Sequence, residues 1–176
     1  MALASSLGAQ RADCSGPSVR ISILPVAFTI DSMPGWAFDC NAGRADTLLV
    51  VFYPRSGSRL AGGALLYANL LTPDSPHPVS VDDAVAADVA RRRRWTPDLT
   101  VFARRTLRTA AGAPVIVREF RSQTKGSFEL VGYIANSDVI VLLGLRGRTQ
   151  AAFEGALGDF DRFVQAFRPD SVVRPP

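Results

Sequence analysis

Apolar and polar positions along residues 99–168 fall into four closely spaced runs, Val101–Leu107, Val115–Arg121, Phe128–Ile134 and Val139–Arg146, separated by short polar or Gly-containing turns. Runs of this length and composition read as β-strands, and connections this short join antiparallel neighbours. The period then changes. Phe153, Leu157, Phe160, Val164 and Phe167 recur at three- to four-residue steps, which places them on one face of a helix. The pattern predicts an antiparallel meander packed on a terminal helix, with Phe153, Phe160, Phe163 and Phe167 in the core. Gly155 and Gly158 each weaken that helix by roughly 1 kcal/mol relative to Ala, and mark a bend or a close approach to the sheet.

The first half of the chain is more broken. Val19–Leu24 and Val26–Ile30 are β-branched runs split by Pro25, which suits an edge or bulged strand. Met33-Pro34-Gly35 is a turn before Trp36 and Phe38. Thr47–Tyr53 is a nearly continuous apolar run, expected as a buried strand; Gly62–Leu71 is a further, Ala- and Gly-rich one. Thr72–Pro78 contains three prolines and reads as a loop. Ser80 then opens a helix, with Asp83 three residues on as an approximate capping box. Val81, Ala84, Val85 and Val89 give it a narrow apolar face, and Arg91–Arg94 place cations at the negative end of its dipole. Thr96-Pro97 stops it.

A chain of 176 residues with 47% apolar content supports one domain with a sizeable core. The expected division is a flexible tail or signal remnant over residues 1–17, a single α+β domain over 18–170 and a loose tail over 171–176. There is no run of eighteen apolar residues, so no membrane-spanning helix is expected. Nineteen of the twenty basic residues are arginine, Lys125 being the exception, a codon bias consistent with a GC-rich bacterial genome. The net charge of +4 is offset along the chain by sixteen interspersed acids, which argues against nucleic acid as the partner. The opening Met-Ala-Leu-Ala-Ser-Ser-Leu-Gly-Ala is similar to the end of a secretory signal, though without a charged n-region. Arg11-Ala12-Asp13 before Cys14 is a poor lipoprotein context. An exported, periplasmic or secreted protein is the expectation; a frayed tail on a cytosolic protein is the alternative. Cys14 and Cys40 are the two cysteines. In an oxidising compartment they would pair, contributing roughly 3 kcal/mol by closing the intervening loop; otherwise they are two thiols.

Three local patterns carry a family resemblance. Phe28-x-Ile30 followed by Pro34-Gly35-Trp36 resembles the N-terminal signature of the PsbP/DcrB-like superfamily, an aromatic-x-aliphatic pair and then Pro-x-Trp. Gly132-Tyr133-Ile134, the Asn136-Ser137 turn and Val139–Leu143 are similar to its central hairpin. Phe163-Val164-x-Ala166-Phe167-Arg168 resembles its closing helix, which often ends in Ser-Phe-Arg, with Ala166 in place of the Ser. The resemblance spans most of residues 26–168. It implies an α/β/α sandwich around an antiparallel sheet, and a role in binding proteins: members serve as photosystem subunits, small-GTPase partners, envelope lipoproteins or secretion chaperones. It supplies no active site to carry over.

Catalytic chemistry finds little support in the residues themselves. His77, the only histidine, lies in Ser75-Pro76-His77-Pro78, a poor mount for the rigid base that a triad needs. One His and two Cys fall short of a zinc site, and no Gly-rich phosphate loop is present; no metal or cofactor is expected. With Asn136-Ser137 as a two-residue turn, Glu129 would lie beside Gly144 and Ser127 beside Arg146. With the preceding turn centred on Thr124, Glu119 would face Glu129 and Arg121 would face Ser127. One sheet face would then gather Glu119, Arg121, Glu129 and Arg146, as a structural ion network or as the paired carboxylates of a hydrolase; a one-residue slip of register would dissolve the cluster. Arg91, Arg92, Arg93, Arg94 and Trp95, extended in sequence by Arg104, Arg105 and Arg108, form a candidate surface for an acidic protein partner, unless Trp95 folds back onto the core. The expectation is a non-catalytic, protein-binding module of the bacterial envelope. The alternative is a carrier or sensor of a small amphiphile held between helix and sheet.

Overall fold

A computed structural model describes residues 11–23, 26–41, 48–56, 63–71, 80–136 and 139–170. The loop with His77, residues 1–10 of the expected leader, the tail 171–176 and Ser137 of the expected turn lie outside the described residues.

Two antiparallel sheets dominate. The smaller contains β1 (Arg11–Asp13), β2 (Ser18–Ile23), β3 (Val26–Asp31) and β12 (Phe167–Pro169), in the order β1-β2-β3-β12. The larger runs β4 (Trp36–Asp39), β5 (Val50–Pro54), β6 (Ala64–Leu71), β11 (Val139–Gly147), β10 (Ser127–Asn136), β9 (Pro114–Ser122), β7 (Thr100–Ala103), with β8 (Leu107–Arg108) also on β9. Helix α1 (Val81–Trp95) joins β6 to β7, and the short helices α2 (Gln150–Gly155) and α3 (Leu157–Ala166) follow β11.

The expected meander is present, with three departures. The run expected as one strand over Val101–Leu107 is two. Ala103 pairs with Arg118 and Leu107 with Val115, so Arg104–Thr106 stand opposite Ile116 and Val117. One extra residue on the edge strand is a β-bulge, which bends the chain and re-aims its side chains. The terminal helix is broken between Gly155 and Leu157 and ends at Ala166, so Phe167, still fully buried, begins β12. A Cβ at Gly155 or Gly158 would meet nothing within 4 Å, so neither marks a close approach, and the break lies at Gly155–Ala156. Finally, the two runs flanking Pro25 pair with each other and both lie inside the small sheet: β1, from the stretch expected as tail, covers β2, and β12 covers β3.

The large sheet separates two cores. On its inner face Val117, Leu130, Leu143 and Leu145 pack with Phe28 and Ile30 of the small sheet and with Phe153, Phe160 and Phe163. Gly147 is obligatory there, because a Cβ would lie 2.8 Å from the backbone of Phe153. On the outer face α1 rests on Phe120, Val131, Tyr133, Ile140 and Leu142 through Ala84 and Val85. Helices thus cover both faces, but the inner face is shared with a second sheet, and strands rather than an even helix–sheet–helix layering set the architecture. Cys14 and Cys40 are paired, with 6.5 Å between their Cα atoms. They tie the end of β1 to the end of β4, the outer strands of the two sheets.

Candidate interaction surface and the two ion clusters

Register decides where the charges go. Ser122 pairs with Ser127 around the four-residue loop Gln123–Gly126, closed by the Gly126 N–H on Gln123 O at 3.2 Å, with Gly126 at a φ of 55°. Glu129 therefore faces Phe120, and Glu119 faces Leu130. This is one residue off the expected pairing, and a one-residue slip sends a side chain to the other face. Across β10–β11, Asn136 pairs with Val139, so Glu129 sits opposite Arg146 rather than Gly144. That shift is two residues, and Glu129 and Arg146 keep a common face. The expected four-residue cluster is thus two clusters: Glu129 with Arg146 on the outer face, Glu119 with Arg121 on the inner one.

The outer cluster lies beneath α1. Ser80 caps this helix: its Oγ accepts from Asp83 N at 3.1 Å and donates to the Asp83 carboxylate at 2.7 Å. The buried stripe Ala84–Val85 continues one turn on into Asp88, which is fully buried, and then into Arg92. Asp88 accepts from Arg92 Nε at 2.8 Å, Arg91 Nη2 at 2.5 Å and the Tyr133 hydroxyl at 2.7 Å. Arg92 spans from there to Glu129, with its guanidinium carbon 4.4 Å from the centre of the Phe120 ring. Glu129 also accepts from the Tyr67 hydroxyl at 2.5 Å and Arg146 Nη2 at 3.1 Å. Tyr67 pairs directly with Gly144 and its ring occupies the space a side chain there would take; a Cβ on Gly144 would lie 2.0 Å from the ring.

Burial pushes both carboxyls up, but the cations prevail. Arg92, Arg146 and the Tyr67 hydroxyl hold Glu129 below its ordinary value, and Arg92, Tyr133 and Arg91 do the same for Asp88. Burial and the adjacent carboxylates drive the Tyr67 and Tyr133 hydroxyls well up. Both carboxylates stay ionised and fully bonded at neutral pH, so neither is poised to donate a proton as a general acid must be. The cluster is an ionic seat for a helix that fully buries only two apolar side chains, Ala84 and Val85. The sequence pattern does not single out Asp88, Tyr67 or Tyr133, and it places Arg92 on an outward surface rather than in this seat. The available signal was spacing: Ala84, Asp88 and Arg92 lie four apart on one helix face, and Glu129 and Tyr133 share a strand face.

Past this seat the arginine run divides. Arg91 and Arg92 are engaged inward, whereas Arg93 and Arg94 are exposed and have no ion pair among the described residues. Trp95 stays off the core, 77% exposed, with its carbonyl accepting from Lys125 Nζ at 2.8 Å. Arg104 and Arg105 do not join this surface. Arg104 lies opposite Val117 by ordinary alternation and so faces inward, and the bulge that follows brings Arg105 to the same side; there Arg104 and Arg121 both bind the fully buried Glu119, Arg104 through Nε at 2.5 Å, and Arg105 pairs with Asp161 of α3. Between the bulge and α3 lies a cleft of about 340 Å³. Val117, Leu130, Leu107 and Leu157 form its apolar lining, and Arg104, Arg105 and Asp161 its polar rim.

No protein-family model matches the chain, and no curated protein matches it. Solved structures do. The solution structure of cyanobacterial PsbP (CyanoP) from Synechocystis sp. PCC 6803 superposes with a TM-score of 0.54 over 92% of both chains, at 12% identity. The chain has a PsbP-like fold. A protein of unknown function from Pseudomonas aeruginosa, PA94, gives a TM-score of 0.51 over 92% of this chain and 100% of its own, again at 12% identity. At such identities the PsbP-like likeness is one of fold, as the Pro34-Gly35-Trp36 and Phe163–Arg168 patterns implied. Among the described residues no helix is long and apolar enough to cross a membrane.

Proposed function

We propose that this chain is a non-catalytic protein-binding module of the bacterial cell envelope, and that it engages an acidic partner through the exposed end of α1. The observation that carries the reading is the division of the arginine run. Asp88 and Glu129 consume the charges of Arg91 and Arg92, while the side chains of Arg93, Arg94 and Trp95 are exposed, the two arginines with no ion pair among the described residues. An exposed indole beside unpaired guanidiniums is the composition of an interface hot spot, and guanidinium forks match carboxylates in two-pronged geometry. The opposite sheet faces of Glu119 and Glu129, each already neutralised by arginine, weigh against a carboxylate-pair enzyme. A disulfide between the outer strands of the two sheets supports an oxidising, extracytoplasmic location.

The test is a pull-down from envelope extract with wild type and with the Arg93→Ser/Arg94→Ser/Trp95→Ala variant, at low and at moderate salt. The variant should keep the wild-type urea midpoint and lose the partner, and salt should weaken wild-type retention. Recovery of the same partner in equal amount by both proteins would overturn the reading.

A further inference from the structure

The geometry points to a second binding site, independent of the helix end: the cleft under the bulge takes a single-chain amphiphile with an anionic headgroup, its chain on Leu107, Val117, Leu130 and Leu157 and its headgroup on Arg105. Three features of the cleft support this. Its volume, about 340 Å³, falls within the size range of small-molecule sites. Its apolar lining comes from four elements, β8, β9, β10 and α3, so the apolar surface is concave rather than a flat patch. And its rim is cationic on balance. Glu119 is shared by Arg104 and Arg121, and among the described residues that line the cleft Asp161 is the carboxylate that faces Arg104 and Arg105.

The Arg105–Asp161 pair is the replaceable contact. Both partners are solvated, with side chains 69% and 39% exposed, and an ion pair of that exposure holds weakly. A carboxylate head could displace Asp161 from Arg105 without uncovering a buried charge, whereas Arg104 is fixed by the buried Glu119 and contributes its field. The bulge has a clear part in this. Without the extra residue the edge strand would continue straight along β9, and alternation past Arg104 would put Arg105 and Leu107 on the face of α1, away from the cleft.

Isothermal titration of the full chain with dodecanoate, below its micelle concentration, tests the proposal, with dodecyltrimethylammonium as the same chain bearing a cation. Dodecanoate should bind saturably. The cationic amphiphile should bind at least about tenfold more weakly, and Arg105→Ser should cost about tenfold in dodecanoate affinity. Leu157→Trp, a half-buried position at the cleft edge, should abolish binding by filling the space. Methyl NMR of the wild type provides a readout that needs no variant: shifts should concentrate at Val117, Leu130 and Leu157. Absence of saturable binding, equal binding of the two amphiphiles, unchanged affinity in both variants, or shifts centred elsewhere would each overturn the site. Loss of the Arg93, Arg94 and Trp95 surface should leave dodecanoate binding unchanged, so the two proposals fail separately.

Discussion

Arg92 holds α1 to the sheet, and Arg92→Met measures how firmly. The methionine keeps an apolar stem beside Phe120 and removes the one cation that touches both Asp88 and Glu129. The side chains of Arg92 and Glu129 are 21% and 9% exposed, so the pair counts as largely buried. Breaking a buried pair from one side costs about 3–5 kcal/mol, mostly the penalty of stranding the partner charge. Here Glu129 retains Arg146 and Tyr67, and Asp88 retains Arg91 and Tyr133, so the lower end, about 3 kcal/mol, is expected. For a domain of this size that is a fall of roughly 6–12 °C in Tm. Urea unfolding of wild type, Arg92→Met, Glu129→Gln and the double variant closes a mutant cycle, in which directly bonded residues should show a coupling of about 1–3 kcal/mol. A loss under about 0.5 kcal/mol for Arg92→Met, the range of ordinary surface changes, together with zero coupling, would refute the seat.

Further outcomes follow from the same geometry. Gly144→Ala should expel the Tyr67 ring and break its bond to Glu129, costing about 1–3 kcal/mol by overpacking, and much less when Tyr67→Leu is already present; equal losses in both backgrounds would dismiss the contact. Reduction of Cys14–Cys40, or Cys14→Ser/Cys40→Ser, should cost about 3 kcal/mol for a sequence separation of 26. Thiol titration of unreduced protein should find no reactive cysteine, and two would contradict the pairing. Stability should also depend on pH at both extremes. Asp88 and Glu129 have lowered values in the fold, so their contribution is present above the unfolded values near about 4 and is lost as pH falls through the lower folded ones. Tyr67 and Tyr133 have raised values, so theirs is present below about 10 and declines above it. The urea midpoint should be flat between about pH 6 and 9, and a steep change inside that window would exclude this network as its source.

Apolar periodicity places the strands of the meander, the Ser80–Asp83 spacing the helix cap, and the count of two cysteines the Cys14–Cys40 option, because each rests on contacts within a few residues or on a short list of possible partners. What it could not place depends on single residues. The extra residue in Arg104–Thr106 leaves the apolar pattern of Val101–Leu107 looking like one strand, yet it moves Arg105 and Leu107 from the side of α1 to the side of α3. The Gln123–Gly126 loop differs by one residue from the turn expected at Thr124, and that residue separates Glu119 from Glu129 by the thickness of the sheet. Asp88 was hidden for a different reason. A carboxylate on an apolar helix face reads as a break in the stripe unless its partners, Arg91 and Arg92 one turn away and the Tyr133 hydroxyl on β10, are already known to converge.

The pairing of β9 with β10 underlies the seat beneath α1, the divided arginine run and the cleft alike, and cross-strand nuclear Overhauser effects read it directly. Backbone contacts should join Glu129 to Phe120 and Leu130 to Glu119, with the Glu129 side chain close to the Tyr67 ring. Contacts joining Glu129 to Glu119 would place both carboxylates on one face and contradict the structure's division into two chemically distinct sides.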